Sequence, residues 1–445
     1  MLTLSQKISY GICRFGTSIL LNIVTVFTFW AYKDIFAIPA ELSGIGNAVG
    51  KIAIAFSGFI FGYVSDAMDP AKRKLGRRKF FIWIGAPLLA FSFVMLFTPH
   101  LFISAEHSMM RFVWLMIWNS MFHIFYGFLL TPFQAWMPEI TSADERINVS
   151  AIQNISNITA SLIGAGYTLI IAQYYTQTGN LDSRTGILMI VFAILFGVVE
   201  VLFFLPALLK IKEKKVPFVK RNLKEEVSIT LRNRNYVIYM ISFSIMWVGV
   251  IIITAMILDF INIILGLDTI QKTLVFAVVM FLALVVGFTL WTVIGNKIGK
   301  KKSLIIGFAW SMIWMPLTPA IGRIPFIPLI VQGYIFGIGA VIGTSAAFLF
   351  GYAIISDFAD KDEQETSQNR AGVYTGFKNI PINIGQAAGY IIAGFLASWK
   401  DDLGLTWLGP IAIIFIVVAF PIFLLGNYDP FLKQEKEQEV PVKAE

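Results

Sequence analysis

Twelve apolar stretches, most of about 20 residues or more, fill nearly the whole chain, and nothing else in it constrains the fold so tightly. A helix rising 1.5 Å per residue needs about 20 apolar residues to cross a hydrocarbon layer roughly 30 Å thick. Hydrophobic residues make up 57% of the 445 positions and charged ones only 14%. So apolar a chain cannot close over one soluble core of ordinary proportions. It is therefore predicted to be an all-α polytopic membrane protein, with the lipid bilayer as its first partner. The twelve transmembrane helices are expected near 8–32, 41–66, 79–99, 109–138, 150–173, 186–210, 235–264, 271–296, 301–321, 326–357, 371–399 and 403–426.

The net charge of +8 would suggest nucleic acid in a soluble protein, but the cations cluster in alternate loops. The densest knot, residues 65–79, carries Lys72, Arg73, Lys74, Arg77, Arg78 and Lys79. Such a bias marks cytoplasmic loops, so both termini are expected in the cytoplasm and no nucleic-acid partner is. The single Cys13 lies in the first span, forms no internal disulfide and is expected to be a packing residue. That first stretch is too long for a signal peptide and lacks a small-residue cleavage site, so it is expected to stay as a helix. The glycosylation-type triplets at Asn148, Asn154 and Asn157 fall at the cytoplasmic end of a span or inside it and read as chance matches. With no organelle signal, a multi-pass protein of the plasma membrane is expected, working as a monomer.

Several function classes fall away on the same census. His100, His107, His123 and Cys13 are too scattered for metal-ligand spacing, so no metal and no cofactor are expected. The nearest thing to a phosphate loop, residues 295–303, has Lys301 after Lys300 where Ser or Thr is required. Neither an enzyme nor an ATP-driven pump is expected.

The longest polar insert divides the chain into a first six-helix bundle (1–210), a cytoplasmic linker (211–234) and a second bundle (235–428), followed by a Lys- and Glu-rich tail (429–445) expected to be disordered. A weak repeat supports two pseudo-symmetric bundles: Gly62, Ser65 and Asp66 with their basic loop are echoed by Gly295, Gly299 and Lys300 to Lys302.

The segment Gly62-x-x-Ser65-Asp66 with Gly76-Arg77-Arg78-Lys79 joins the second and third spans. Its glycine lets helices approach, and an aspartate at a helix end can hold neighbouring guanidinium groups. It resembles the loop signature of the major facilitator superfamily. In its extended form it is similar to the glycoside-pentoside-hexuronide:cation symporter family, to which the bacterial melibiose carrier belongs. Three further segments carry the resemblance: Pro132, Pro138, Glu139 and Thr141 followed by Asp144-Glu145-Arg146; Ser356-Asp357 with the run from Arg370 to Tyr374; and Ser9-Tyr10-Gly11. The resemblance implies the major facilitator fold, whose two bundles rock about a mid-depth site so that it opens to each side in turn. It also implies a cytoplasmic gate in which Asp66, Arg77, Arg78, Glu139, Arg146, Asp357 and Arg370 form and break ion pairs.

The chain departs from that family where coupling is decided. Ile54 and Gly58 stand where cation-coupled members carry two aspartates, and Asn383 stands where the eleventh span usually has a lysine. Leu130 replaces a sugar-binding aspartate, Ser18 a span-one acid and Gln153 a common arginine. A sodium site needs hard oxygen ligands, so Ile54 and Gly58 argue against a melibiose-type cation pocket. The remaining intramembrane charges become the candidates, because each costs roughly 2.5–3.5 kcal/mol at a helix centre and persists only with a partner or a wet cavity.

Lys51, about ten residues or 15 Å into the second span, is the first of these. Arg14, Lys378 and Asp259 follow, on spans that border the central cavity in the superfamily. Gln134, Gln153, Asn154 and Asn383 can add neutral hydrogen bonds, and Trp136 an aromatic face of the kind sugar rings meet. Glu200 is also deep, but its span is peripheral in such a fold and it is left out of the candidate site.

The expected function is secondary active or facilitative transport of a small polar organic solute: a sugar, a glycoside or a sugar acid. A cavity reached by Arg14, Lys51 and Lys378 against Asp259 alone is net cationic and favours an anionic substrate such as a hexuronide. Proton coupling is expected if Asp259 carries the proton; otherwise uniport or exchange is as physical. The alternatives are a transporter of lysolipid-like amphipathic solutes and a non-transporting receptor or scaffold.

Overall fold

The computed structural model describes residues 2–68, 75–178, 181, 183–213, 223–267, 269–366 and 371–428. Arg370, the middle of the expected linker and the expected tail lie outside the described residues. Everything within them that crosses a membrane is helical.

The chain opens with α1 (Leu4–Gly11), whose Thr3 accepts from the Gln6 amide while the Gln6 side chain accepts from Thr3 N–H, a reciprocal cap on two orphan amides. It bends at Ile12 into α2 (Cys13–Trp30) and ends in a wide π turn, Ala31–Ile35. Then come α3 (Ala40–Asp66), α4 (Arg77–Leu96), α5 (Ser108–Ile140), α6 (Ala143–Thr178) and α7 (Ser183–Lys210). The short α8 (Leu223–Arg232) precedes α9 (Arg234–Asp259), which ends in a second π turn, Phe260–Ile264. The rest are α10 (Ile270–Ile298), α11 (Lys300–Trp314), α12 (Leu329–Thr366), α13 (Ala371–Phe377), α14 (Asn379–Ala397), α15 (Leu403–Thr406) and α16 (Leu408–Leu424). Among the described residues eleven helices are long and apolar enough to span a bilayer, and a twelfth span is a pair bent by 42° between Thr406 and Leu408.

These boundaries follow the hydropathy closely, with three informative differences. The first span runs from Leu4 to Ile35 rather than over 8–32, so Lys33 and Asp34 belong to it. The tenth continues to Thr366, and the eleventh, expected unbroken over 371–399, is split at Lys378 into α13 and α14.

The pseudo-symmetry expected from the sequence reaches down to single hydrogen bonds. In the first span Phe36 N–H reaches the Ala31 carbonyl and Ile38 N–H that of Tyr32, around Ala37 with φ +52°. In the seventh, Leu265 reaches Phe260 and Leu267 reaches Ile261, around Gly266 with φ +60°. Each third span likewise starts at a glycine in the left-handed region, Gly76 (φ +83°) before α4 and Gly299 (φ +87°) before α11, a conformation glycine adopts without steric cost.

Two compact units are distinguished. One comprises Met1–Asn222, Val250–Leu274 and Asn379–Leu405. There α3 packs on α5 and α14, α4 on α5 and α7, and α2 on α6 and α7. The α3–α14 contact is backbone against backbone: a Cβ on Gly44 would stand 2.4 Å from the Tyr390 carbonyl oxygen. The other comprises Leu223–Gly249, Val275–Lys378 and Thr406–Glu445. Here α11 packs on α12, and an aromatic cluster of Tyr236, Tyr239, Phe358, Phe423 and Tyr428 fills the core.

Candidate functional site

Polar groups buried in an apolar interior are normally hydrogen-bonded, so the informative residues are those that are heavily paired and those that are not paired at all. The first unit holds both kinds.

The paired kind gathers where α3 ends and α4 begins. The Arg78 guanidinium meets Asp66 at 2.5 Å, Glu139 at 2.6 Å and the Ser65 hydroxyl at 2.5 Å, while Arg77 meets the same Glu139 oxygen at 2.7 Å. The Glu213 carboxylate accepts from the backbone amides of Arg77 (2.7 Å), Arg78 (3.0 Å) and Lys79 (3.2 Å). A negative group thus caps the positive end of the α4 dipole. Four expected gate residues, Asp66, Arg77, Arg78 and Glu139, come together here. Arg146 does not join them and, among the described residues, its side chain reaches the Pro138 carbonyl at 3.4 Å. Asp357 is in the other unit, paired with Lys300 at 2.6 Å.

At the start of α6 the Glu145 carboxylate accepts from Ser142 N–H (3.2 Å) and Leu2 N–H (2.9 Å) and meets Lys7 at 3.2 Å. The Ser142 amide, then Lys7 and the Leu2 amide, hold this carboxyl down at about 2 against burial pulling the other way.

Several of the unpaired kind gather on α2, α3, α5 and α6. Arg14, Ser18 and Asn22 are four residues apart on α2 and so share one face. Arg14 Nη1, Ser18 Oγ and Asn22 Oδ1 are all buried without a partner among the described residues. Gly164 of α6 faces Asn22, and Gln153 of the same helix, near Gly11, adds an unpartnered Nε2.

On α3, Lys51 is 5% exposed and meets no carboxylate or hydrogen-bond acceptor among the described residues; its ammonium lies 5.9 Å from the Tyr390 ring centroid. One turn of α5 flanks it: His123 Nδ1 donates to the Asn119 carbonyl (2.8 Å), so that Nε2 is an acceptor whenever the ring is neutral. That Nε2 and Asn119 Oδ1 are also buried and unpartnered. Tyr390 connects the two patches, because its hydroxyl donates to the Thr25 carbonyl of α2 at 2.7 Å while its face is turned to Lys51.

The remaining expected residues are placed differently. Asp259 does not oppose Lys51. It is clamped by Lys33, 3.1 and 3.2 Å from its two oxygens, with Lys33 also 2.7 Å from Asp34. Trp136 is wholly buried among packing neighbours, edge-on to Tyr10 at 5.7 Å, with Lys79 5.8 Å over its ring. Gln134 is half-buried on the same stretch of α5, and Asn154 is exposed. Asn383 donates to its own helix, at Asn379 O (2.7 Å), and Lys378 sits half-buried at the α13–α14 break in the other unit.

Sequence reasoning missed Asn22, Lys33, Asn119, His123, Glu213 and Tyr390. Asn22 and His123, polar groups deep in apolar stretches, carried a signal that could have singled them out. Chemically, these groups offer donors (Lys51, Arg14, Gln153) and acceptors (Asn22, Asn119, His123) that have no protein partner among the described residues, the inventory a polyhydroxylated solute needs.

A protein-family model described as MFS/sugar transport protein matches residues 9–403. The isoprimeverose transporter of Lactiplantibacillus pentosus is 22% identical over 404 residues, covering 89% of this chain and 81% of that one. An uncharacterised symporter of Synechocystis is 23% identical over 515 residues, covering 95% and 92%. Among solved structures, a bacterial homologue of the human lysosomal transporter Spinster, inward-facing and unoccupied, matches with a TM-score of 0.68 at 13% identity, covering 96% of this chain and 97% of that one. At that identity the likeness is one of fold.

Proposed function

Because the chain belongs to the MFS/sugar transport protein family, we propose that it carries a sugar, a glycoside or a sugar acid, and that the solute binds among the mid-depth groups of the first unit. It is a multi-pass membrane transporter working by alternating access, and its fold needs no soluble motor domain. The observation that carries the substrate reading is the set of buried, unpartnered polar atoms on Arg14, Ser18, Asn22, Asn119, His123 and Gln153 beside the uncompensated Lys51. Leaving each such group unpaired costs about 1–3 kcal/mol, a cost that sugar hydroxyls would offset on binding.

In this reading the moving bodies are the bundles 1–210 and 235–428, both termini face the cytoplasm of a plasma-membrane monomer, and the basic loops lie on that side. The Asp66–Arg77–Arg78–Glu139 network and the Lys300–Asp357 pair are then cytoplasmic latches. Lys33 neutralises Asp259, which supports a role for Asp259 in holding the first and seventh spans rather than in contacting solute. The uncompensated cation at Lys51 favours solutes bearing a carboxylate over neutral ones.

The test is counterflow uptake by purified protein in liposomes, with labelled neutral sugars, sugar acids and lysolipids and no ion gradient. Uptake of a sugar or sugar acid, lost in Lys51→Met, is expected. Uptake of lysolipids alone, or of nothing by a verified folded preparation, would overturn the substrate reading.

A further inference from the structure

The loop between α11 and α12 is apolar where a loop is normally polar. Residues 322–329 read Gly-Arg-Ile-Pro-Phe-Ile-Pro-Leu, all of them are exposed, and Arg323 is their single charge. At the apex Phe326 is 102% exposed and adopts φ +66°. A bulky side chain seldom enters that left-handed region, so the turn holds Phe326 outward against its own backbone preference.

The hold comes from Gln332, on the first turn of α12 and 5% exposed. Its side-chain oxygen accepts from Gly322 N–H at 2.7 Å, and its amide nitrogen donates to the carbonyls of Ile324 (3.0 Å) and Ile327 (2.7 Å). The Arg323 amide donates to the Ala320 carbonyl at 3.0 Å, the Pro328 carbonyl accepts from Val331 and Gln332 N–H, and Pro325 and Pro328 have no N–H to place. Much of the loop's backbone is thus satisfied from within, which a chain entering an apolar layer requires and a chain in water does not. The equivalent loop of the first unit, between α4 and α5, instead exposes Ser104, Glu106 and His107.

The helix lengths say where the loop lies. From Lys300, α11 and the 3₁₀ turn that follows it, Met315–Ala320, rise about 34 Å. With the lysines at one boundary of a hydrocarbon layer roughly 30 Å thick, the loop stands just past the other, among the headgroups. Exposed aliphatic side chains run up to it on both sides, Ile306, Ile313 and Leu317 from α11 and its turn, Ile335 and Val331 from α12. On membrane spans such stripes face lipid, and the loop continues them without a polar break.

We propose that residues 322–329 are a preformed phospholipid anchor on the membrane face opposite the Lys300–Lys302 end of α11, with Phe326 and Ile327 seated among the upper acyl chains and the Arg323 guanidinium on lipid phosphate. The aromatic and aliphatic side chains gain by leaving water, and the guanidinium makes charge-assisted hydrogen bonds to phosphate oxygens. Gln332 is the positioning residue: it fixes the turn before lipid arrives, so little freedom is lost on seating. The anchor does not depend on the transport reading, since it needs only that α11 and α12 cross a bilayer.

The experiment is spin-label depth measurement on the full chain in liposomes of phosphatidylcholine and phosphatidylglycerol. Cys13 is 0% exposed, so in Phe326→Cys a thiol-directed label reports the loop, and no packing is lost at so exposed a side chain. The label at 326 should relax faster with dissolved oxygen than with a water-soluble nickel chelate, on the acyl-chain side of the phosphates. In Arg323→Cys the label should read at the phosphate level, and in Glu106→Cys the preference should be reversed. Adding Gln332→Ala to Phe326→Cys should sharpen the spectrum as the turn loosens and shift the preference toward nickel. A label at 326 as open to nickel as the one in Glu106→Cys overturns the proposal. So does spin–spin broadening at 326 that vanishes on dilution with unlabelled protein, which would give the surface to a second copy of this chain.

Discussion

Two regions of the first unit carry buried charge and treat it in opposite ways. At the start of α4, Arg77 and Arg78 converge on Glu139, Asp66 adds a second carboxylate, and Glu213 caps the helix. On α2, α3 and α7, Lys51 meets no carboxylate and Arg14 Nη1 and both Glu200 oxygens have no hydrogen-bond partner among the described residues. The first arrangement is stable as it stands. The second is costly as it stands, and groups that cost stability are retained where function needs them. In the proposed reading, pairing therefore distinguishes the groups that hold this protein together from those that would take a solute, although both are built from the same few residue types.

Mutation should break the two regions in opposite directions. The largest effect on stability is expected from Arg78→Ala, which leaves Glu139 to Arg77 alone and takes the partner from the half-exposed Asp66; it should cost about 1.5–3 kcal/mol, read as a loss of thermal stability in detergent. Gly16→Ala comes next, forcing α2 off Glu200 at a cost of about 1–3 kcal/mol in the same assay. Lys51→Met should reverse the pattern: stability unchanged within about 1 kcal/mol or improved, while solute uptake falls tenfold or more. If Lys51→Met unfolds the protein as Arg78→Ala does, the contrast between the regions is lost.

The smallest effect concerns Glu145. Its carboxyl is held at about 2 against an ordinary 4.5, so its contribution to stability is fully present above pH 4.5 and fades as the pH falls toward 2. Glu145→Gln should flatten that part of the pH profile of thermal unfolding and leave the profile above pH 5 unchanged.

Much of this architecture is legible in the sequence because lipid imposes length and apolarity on every span, and hydropathy measures both. Where it misled, the backbone made a choice that hydropathy does not see. The π turn Ala31–Ile35 carries Lys33 and Asp34 into the first span, and there Lys33 takes up Asp259, which the sequence had set against Lys51.

The gate was readable as charge in a recognisable order, and Asp66, Arg77, Arg78 and Glu139 do assemble. Glu213 was not readable, because one carboxylate in a lysine-rich linker looks like solvated surface until its distance to the α4 amides is known. The candidate solute groups were legible in part. Arg14, Lys51 and Gln153 stand out in an apolar chain, whereas Asn119, His123 and Tyr390 matter only through the way α3, α5 and α14 pack. Glu200 was set aside on the ground that its span is peripheral, and Gly16 is what brings it against α2.

The claim on which the rest depends is that the unpaired mid-depth groups are the solute site. Its most direct measurement is calorimetric binding of the sugar or sugar acid that shows counterflow, to wild type and to Asn22→Ala at matched folded fractions. Affinity about tenfold weaker in Asn22→Ala, the worth of about 1.4 kcal/mol for one lost hydrogen bond, is the predicted result. Equal affinity in the two proteins would contradict it and place the solute elsewhere.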